Sequence, residues 1–183
     1  GLQLMPGLPG DSPAVFRKTV ATAVSLKPDF VRLYPVLVIK NTPLERLYSE
    51  GNYTPLTLDA AVSMCGEAYG EFERAGVPVV RMGLQPTVEL ELPGTILAGP
   101  YHPAFGQLVR SSLFLAKMRQ ALKSRSGQIK TAAFLVNPRD VSTAAGQRNG
   151  NIDRLKKEFG LADVRIAGDR AYTKRGDVTL LPD

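Results

Sequence analysis

The pattern of apolar positions is clearest between residues 29 and 43, where the sequence reads DFVRLYPVLVIKNTP. An almost unbroken apolar, β-branched run of this kind is typical of a strand that is covered on both faces in a parallel sheet. Asn41 or Thr42 can cap a following helix, and Pro43 suits a first helical position. The segment is therefore predicted to be one buried strand that runs directly into a helix.

The segments on either side alternate between strand and helix with short links. The predicted elements before residue 87 are a strand in residues 1–8, a helix from Pro13 capped by Asp11 or Ser12, a short helix from Pro43 to Gly51, a long helix from Thr57 to Gly76, and a strand at Val77–Leu84. This order is typical of a parallel α/β sheet, either open or a sector of a barrel. Because sites in such sheets lie at the carboxyl ends of strands, residues 5–9, 34–40 and 83–86 are predicted to surround one mouth.

The pattern changes after residue 86. Residues 87–106 are rich in proline and glycine and are predicted to form one long loop, followed by a helix with a basic outer face at 104–124. Beyond it the predicted elements are a strand at 129–136, a helical turn at 139–145, a loop at 146–149, a helix at 150–159, and strands at 164–167 and 178–181 joined by a hairpin-like link. The predicted domains are 1–109, a basic helix with linker at 110–127, and a small α+β segment at 128–183.

Cysteine and histidine are scarce, and this limits the chemistry available within the chain. With Cys65 and His102 as its single cysteine and histidine, the chain cannot assemble a usual zinc or iron-sulfur site, or a disulfide framework, from its own residues. Cys65 lies on a predicted apolar helix face, where a small core residue is commoner than a nucleophile. His102 lies in the long loop, where a hydrogen-bonding role is commoner, although its pKa range permits proton transfer.

The composition is typical of a globular protein, and the net charge favours an anionic partner. Its 183 residues are 44% hydrophobic and carry a net charge of +6. Six cations without an intervening acidic residue lie between Arg110 and Lys130, which indicates either a solvated helix face or a surface that faces phosphates. No apolar run reaches the roughly 18 residues that cross a bilayer, and the first residues do not follow the order of a secretory signal. The expected location is cytoplasmic, with no membrane partner.

Four stretches together resemble a known family. These are MPGLPGDSPAVF at 5–16, DFVRLYPVLVIKNTPLERLY at 29–48, GNYTPLTLDAAV at 51–62 and LAGPYHPAFGQLV at 97–109. They resemble the later part of the radical S-adenosylmethionine (radical SAM) catalytic domain, above all the elongator catalytic subunit and its bacterial homologues, and then oxygen-independent coproporphyrinogen oxidase-like proteins. The resemblance covers residues 2–109.

The resemblance implies the carboxyl half of a partial (β/α) barrel, in which a [4Fe-4S] cluster and S-adenosylmethionine generate a 5′-deoxyadenosyl radical that abstracts a hydrogen atom from a substrate over the barrel mouth. The cluster needs three closely spaced cysteines, which this chain lacks. The chain alone is therefore expected to bind neither cofactor and to be inactive, the amino-terminal half of the same polypeptide being the missing part. By the same resemblance, the cofactor-binding candidates are Met5, Pro6, Gly7, Leu8, Pro9, Tyr34, Pro35, Val36, Leu37 and, by position only, Gln85.

Three polar residues of the segment 29–43 each have two possible interpretations. Tyr34 suits core packing with a hydrogen-bonded hydroxyl as well as it suits a site role. Arg32 and Lys40 can balance a carboxylate or phosphate of a ligand, or pair with an acidic neighbour.

The carboxyl segment resembles a KH-type RNA-binding module, which places a GXXG turn between two helices so that the backbone and helix dipoles clamp phosphates. Asn149 replaces the second glycine, and asparagine tolerates the left-handed conformation. The nucleic-acid-binding candidates are Gly146, Gln147, Arg148, Asn149 and Lys156. The alternative is a structural cap with a solvated basic helix.

Together these patterns predict an α/β protein that forms the carboxyl-terminal part of a radical SAM iron-sulfur oxidoreductase, with tRNA or another RNA as its target. One alternative is a non-enzymatic RNA-binding module. Another is radical SAM chemistry on a small molecule. The sheet edge that a partial barrel leaves open also predicts self-association.

Overall fold

The computed structural model describes residues 1–125, 129–171 and 174–182. The chain divides into two compact units, Gly1–Val109 and Arg110–Asp183. The elements of the first unit are β1 (Leu2–Leu4), α1 (Pro13–Ser25), β2 (Val31–Leu33), β3 (Val38–Ile39), α2 (Pro43–Ser49), α3 (Leu58–Arg74), β4 (Val79–Met82), α4 (Val88–Glu91), β5 (Ile96–Ala98) and the first turn of α5 (Phe105–Lys123). The predicted α/β class is confirmed.

Helix starts in the first unit follow local capping rules. The side chains of Ser12, Thr42 and Thr57 each accept a hydrogen bond from the backbone N–H three residues further on, at the starts of α1, α2 and α3. Pro13 and Pro43 occupy first helical positions, where a missing N–H costs no hydrogen bond. These predicted helices and the strand β4 are confirmed.

The main sheet of the first unit has the order β1-β2-β4, with all three strands parallel. Helices α1 and α3 contact each other and supply the apolar cover of the sheet. Val31, Leu33, Cys65 and Phe72 are fully buried in this core. Burial of a large apolar side chain stabilises the fold by about 1.5–3 kcal/mol, so this core holds the strand ends in place.

The prediction that the apolar run at residues 31–39 forms one buried strand was wrong. The apolar residues are buried as expected, but the segment forms two short strands in different sheets. β2 lies in the parallel sheet, whereas β3 pairs antiparallel with β5. Pro35 lies between them and has no N–H to donate, so a regular ladder ends there.

The prediction that residues 87–106 form one long loop was also wrong. This stretch contains the short helix α4, capped by Thr87, and the strand β5. The strand forms because β3 offers it an antiparallel partner, with Val38 opposite Ala98. Proline and glycine flank these elements rather than excluding them.

The second unit contains a three-stranded sheet of its own. Its elements are α5 from Arg110 onward, β6 (Thr131–Val136), a 3₁₀ turn (Pro138–Asp140), α6 (Val141–Ala145), a second 3₁₀ turn (Gln147–Asn149), α7 (Gly150–Phe159), β7 (Asp163–Gly168) and β8 (Val178–Leu180). β6 is central, parallel to β7 and antiparallel to β8. The predicted hairpin between β7 and β8 is therefore wrong, because β6 separates them.

Alternation along β6 determines which face of this sheet is covered. Ala132, Phe134 and Val136 are buried, and they pack with Met118 and Leu155 from the helices.

Within the described ranges, no helix of either unit combines the length and the apolar character needed to cross a bilayer.

A buried carboxylate ties the segment before β8 to the start of α6. Asp140 is almost fully buried, and its Oδ2 accepts a 2.9 Å hydrogen bond from the backbone N–H of Gly176. The guanidinium of Arg175 contacts the other carboxylate oxygen. Asp140 therefore anchors Arg175 and Gly176, which lie just before β8, through two contacts.

Candidate functional site

The carboxyl ends of β1, β2 and β4 lie side by side, as parallel neighbours must. Beyond the regular strands, the N–H of Tyr34 donates to the Leu4 carbonyl at 2.9 Å and the N–H of Val36 donates to the Pro6 carbonyl at 3.0 Å. The N–H of Gly83 donates to the Leu33 carbonyl at 2.9 Å. The structure therefore brings the segments 5–9, 34–37 and the start of 83–85 to one edge, which we call the mouth.

The loop that follows β1 is held in one conformation from two directions. Gly7 has φ +93°, and a Cβ built on it would lie 2.9 Å from side-chain carbons of Leu56. Its N–H donates to Asp11 Oδ2 at 2.9 Å, and its carbonyl accepts a 2.6 Å hydrogen bond from the buried Tyr53 hydroxyl. Burial, and then the nearby Asp11 carboxylate, raise the pKa of Tyr53, so this hydroxyl keeps its proton at neutral pH.

Side chains at the mouth divide into exposed and packed ones. Met5 and Leu8 are 40% and 49% exposed, and they line a hollow of about 380 Å³ beside the loop. In contrast, Pro35, Val36 and Leu37 are buried, and Val36 packs with Val38 and Tyr53. Any ligand at the mouth would therefore meet the backbone of residues 34–37 rather than most of their side chains.

Gln85, Arg32 and His102 each have a partner within the chain. The Gln85 side-chain oxygen accepts a hydrogen bond from the Arg81 guanidinium, and Gln85 is exposed. The Arg32 guanidinium lies over the Phe30 ring, 5.3 Å from its centroid, which is a cation–π arrangement. His102 Nδ1 accepts a 3.0 Å hydrogen bond from the Ala104 N–H, just before α5 begins.

The residues of this chain do not fit an iron-sulfur cluster. Its single cysteine, Cys65, is fully buried in α3, and burial raises its pKa to about 12. Cluster iron is bound by several thiolates, whereas this sulfur is a protonated core atom. Within the described residues, no group of three or more histidine, cysteine or carboxylate side chains comes together that could hold a metal ion.

The predicted nucleic-acid loop connects α6 to α7 through two left-handed residues. Arg148 has φ 51° and Asn149 has φ 61°, and the Asn149 N–H donates to the Gly146 carbonyl at 3.2 Å. Asn149 thus adopts the left-handed conformation, which asparagine tolerates better than most residues. Gly146 has φ +79°, and a Cβ on it would lie 3.0 Å from the Asn151 backbone nitrogen, so this position favours glycine on two grounds.

Asn151 holds the base of this loop, and sequence reasoning missed it. It is buried, and its Nδ2 lies 2.9 Å from three oxygens, namely the carbonyl and hydroxyl of Ser111 and the carbonyl of Ala144. One amide group therefore joins α5, α6 and α7. The available signal was a polar residue four positions before Leu155 on the apolar side of a predicted helix.

Lys156, the predicted cation beyond the loop, has an acidic neighbour. Its Nζ lies 3.6 Å from Asp163 Oδ1, and Arg165 Nε lies 2.9 Å from the other carboxylate oxygen. The hydrogen bond from Arg165 is the main cause that lowers the pKa of Asp163, followed by the charges of Arg165 and Lys156. Asp163 therefore stays ionised and balances part of the Lys156 charge.

Charge is distributed unequally between the two units. Residues 1–109 contain 8 Lys and Arg against 10 Asp and Glu, which gives −2. Residues 110–183 contain 15 Lys and Arg against 7 Asp and Glu, which gives +8. The basic character of the chain thus belongs to the second unit, and attraction for a polyanion is expected there.

Comparison with known proteins identifies the segment that forms most of the first unit. Residues 28–114 match the radical SAM C-terminal domain family. The predicted radical SAM superfamily relationship, with this chain as a carboxyl-terminal portion, is confirmed.

The chain is also similar to parts of curated relatives. It is 43% identical over 54 residues to a tRNA uridine(34) acetyltransferase of Dehalococcoides mccartyi, which is 28% of this chain and 12% of that protein. It is 34% identical over 68 residues to the proteins of the same name from Methanocaldococcus jannaschii and Methanocaldococcus infernus, which is 36% of this chain and 13% of each relative. The matched segments thus span about one eighth of the length of these relatives.

Proposed function

We propose that this chain is the carboxyl-terminal part of a radical SAM enzyme that modifies tRNA. The observation that carries the proposal is the radical SAM C-terminal domain at residues 28–114, which contains the strand ends at Tyr34–Leu37 and Gly83–Gln85. The named activity of the similar proteins supports tRNA as the substrate class. The charge of +8 on residues 110–183 supports a nucleic-acid partner.

The radical step depends on groups that this chain does not hold by itself. We assign the cysteines of the [4Fe-4S] cluster to a segment of the intact protein outside these residues, because Cys65 is a buried, protonated thiol. A cluster with S-adenosylmethionine supplies a carbon-centred radical. What this chain adds is binding and orientation, with the Met5–Pro9 loop and the backbone of Tyr34–Leu37 as one wall of the cofactor site and Gln85 near its rim.

The second unit is proposed to bind the RNA. Its loop Gly146–Asn149 places the backbone in the open beside the start of α7, where N–H groups lack intrahelical partners. Gly146 permits close approach of a phosphate because it has no side chain. Asn151 fixes the base of the loop through its side-chain hydrogen bonds. Binding of phosphates there requires no contact with individual bases.

The test uses the intact protein, purified without oxygen. With a one-electron reductant added to reduce the cluster, we expect release of 5′-deoxyadenosine from S-adenosylmethionine, and we expect tRNA to increase that release. Gly146→Asp should weaken tRNA binding and the stimulation by tRNA while leaving the basal release unchanged, because the residue lies in the second unit. Release that responds to a porphyrinogen or another small molecule but not to tRNA would contradict the proposal.

A second candidate function is a non-enzymatic RNA-binding module, which the charge of the second unit favours. It predicts salt-dependent RNA affinity that Gly146→Asp abolishes and Tyr34→Phe leaves unchanged. It also predicts that the intact protein releases no 5′-deoxyadenosine under any condition. That last measurement separates the two functions.

A further inference from the structure

The cations of the second unit fall into two groups, apart from Lys117 and Arg125, which donate to backbone carbonyls. One group contacts carboxylates within the unit. Its pairs are Arg119 with Glu158 at 2.7 Å, Lys156 with Asp163 at 3.6 Å, Arg165 with Asp163 at 2.9 Å, Lys174 with Asp177 at 3.9 Å, and Arg175 with Asp140. These charges are partly balanced by their neighbours, so they attract an outside anion less than an unpaired cation does.

The other group includes three cations around α7. Arg154 and Lys157 are both exposed, and among the described residues neither has a carboxylate partner or a side-chain hydrogen bond. Arg148, in the preceding loop, is also exposed and without such a partner in the part of the chain that the structure describes. These three residues are called the basic stripe below.

Helix geometry places the two α7 members of the stripe on one side. Arg154 and Lys157 are three residues apart and so are neighbours on the helix surface, while Gly150 lies one turn before Arg154. Leu155 and Asn151 are buried on the other side of the helix. The stripe thus runs along an open surface that begins with a residue lacking a side chain, and bulky groups can approach it.

The size of the stripe suits a nucleic-acid strand. At 1.5 Å per residue, the seven steps of α7 from Gly150, where the turn that carries Arg148 joins the helix, to Lys157 span roughly 10.5 Å along the axis. Successive charges of a stacked strand lie about 3.4 Å apart along its axis, so this length corresponds to about three phosphates. Two acidic residues of α7 lie beside the stripe, Asp153 one turn before Lys157 and Glu158 one turn after Arg154, and both reduce the local positive potential, although Glu158 is paired with Arg119.

We propose that the basic stripe of Arg148, Arg154 and Lys157, rather than Lys156, is the surface on which the second unit binds the phosphodiester backbone of an RNA strand. The proposal rests on the proposed RNA-binding function and assigns it to particular side chains. It predicts that affinity depends on which cation is removed and not only on the net charge of the unit.

The experiment measures binding of a fluorescently labelled tRNA to the full 183-residue chain by anisotropy, over a series of salt concentrations. Arg154→Gln and Lys157→Gln each remove one charge from the stripe. Each should weaken binding about three- to tenfold at moderate salt and reduce the slope of log affinity against log salt by about 0.7–0.9, the value for one phosphate contact. Exposed helix substitutions of this kind change stability little.

Matched controls remove the same charge from paired cations. Lys156→Gln and Arg165→Gln should change the affinity less than twofold and leave the salt slope unaltered. Asp153→Asn should strengthen binding about two- to threefold, because it removes an opposing charge beside the stripe.

Each contrary outcome is distinguishable. If wild-type protein binds no RNA, both the stripe and the proposed RNA-binding function fail. If RNA is bound but all four charge-removing variants weaken it equally, or Lys156→Gln weakens it most, the stripe alone is wrong. If polyglutamate displaces the RNA as well as unlabelled tRNA does at equal charge, the surface recognises any polyanion and the assignment to an RNA backbone fails.

Discussion

The Tyr53 hydroxyl donates a 2.6 Å hydrogen bond to the Gly7 carbonyl across 46 residues of chain. The bond links the segment after α2 to the loop after β1 at the mouth. Asp11 holds the N–H of the same glycine at 2.9 Å, so both backbone groups of Gly7 have side-chain partners. The loop therefore has its conformation before any ligand arrives, which reduces the entropy that binding must overcome.

Replacing Tyr53 with phenylalanine tests this arrangement. The ring remains, but the buried Gly7 carbonyl loses its partner, and we expect the free energy of unfolding to fall by about 1–2 kcal/mol. Amide exchange in the loop should also accelerate, as measured by deuterium uptake of peptides that contain residues 5–10. Tyr48→Phe is the control, because Tyr48 is exposed on α2. Equal uptake in both variants would show that the hydroxyl does not hold the loop.

Because Cys65 is buried, we expect the free energy of unfolding to depend on pH in the alkaline range. Burial raises its pKa from 9.0 to about 12, so the folded state keeps the thiol protonated while the unfolded chain loses the proton. The stabilisation is complete below pH 9 and is lost as pH rises towards 12, by about 1.4 kcal/mol for each pH unit in between.

The measurement compares wild-type protein with Cys65→Ala by urea unfolding between pH 8 and pH 11. Other groups titrate in both proteins, so the difference between the two free energies isolates the thiol. That difference should shrink steadily above pH 9. A difference that stays constant with pH would mean that the thiol is accessible to solvent, as would rapid alkylation of the folded protein at pH 8.

The left-handed backbone of Arg148 predicts a stabilising substitution. A non-glycine residue in this region costs about 1–2 kcal/mol, which is partly offset by the greater flexibility of glycine in the unfolded chain. Arg148→Gly should therefore raise the free energy of unfolding by about 0.5–1 kcal/mol while it lowers affinity for tRNA. Asn149→Gly, at φ 61°, should stabilise less because asparagine tolerates this conformation. Chemical denaturation checks both, and a loss of stability in Arg148→Gly would contradict the prediction.

Removing the Asp140 carboxylate should cause a large loss of stability in the second unit. Asp140→Ala removes a buried carboxylate that contacts Arg175 and the Gly176 N–H, and we expect a cost of about 2–4 kcal/mol. Asp177→Ala breaks an exposed pair with Lys174 at 3.9 Å and should change stability by less than about 1 kcal/mol. Thermal unfolding of the two variants provides the comparison. Similar midpoints would show that the buried contact adds little.

The parts of the fold that depend on neighbours in sequence were predictable. Ser12, Thr42 and Thr57 cap helices because the group each one satisfies lies three residues away. The split of the segment 29–43 was not predictable in this way, because it depends on the distant partner β5 and on Pro35 between two well-buried halves. The central position of β6 likewise depends on which strands meet, and the alternation along β7 and β8 does not encode that.

In the candidate site, too, features that follow from general rules were predictable and contacts between distant residues were not. The meeting of segments 5–9 and 34–37 followed from the rule that parallel strands end at a common edge. Tyr53 and Asn151 were missed because each forms a hydrogen bond to a residue 40 or more positions away. The contact between Lys156 and Asp163 was also not predictable, since the end of a helix and a turn, six residues in all, separate the two in sequence.

The two three-stranded sheets acquire their strands at different moments of synthesis. The strands β1, β2 and β4 can all pair once residue 82 has left the ribosome, because each parallel connection is closed by a local helix. β6 acquires its second neighbour only when residues 178–180 emerge, more than 40 residues after β6 itself. Until then, one edge of β6 has no strand beside it. During translation the second unit thus passes through a stage in which one edge of the apolar strand β6 is unpaired, and unpaired strand edges of this kind favour misassembly.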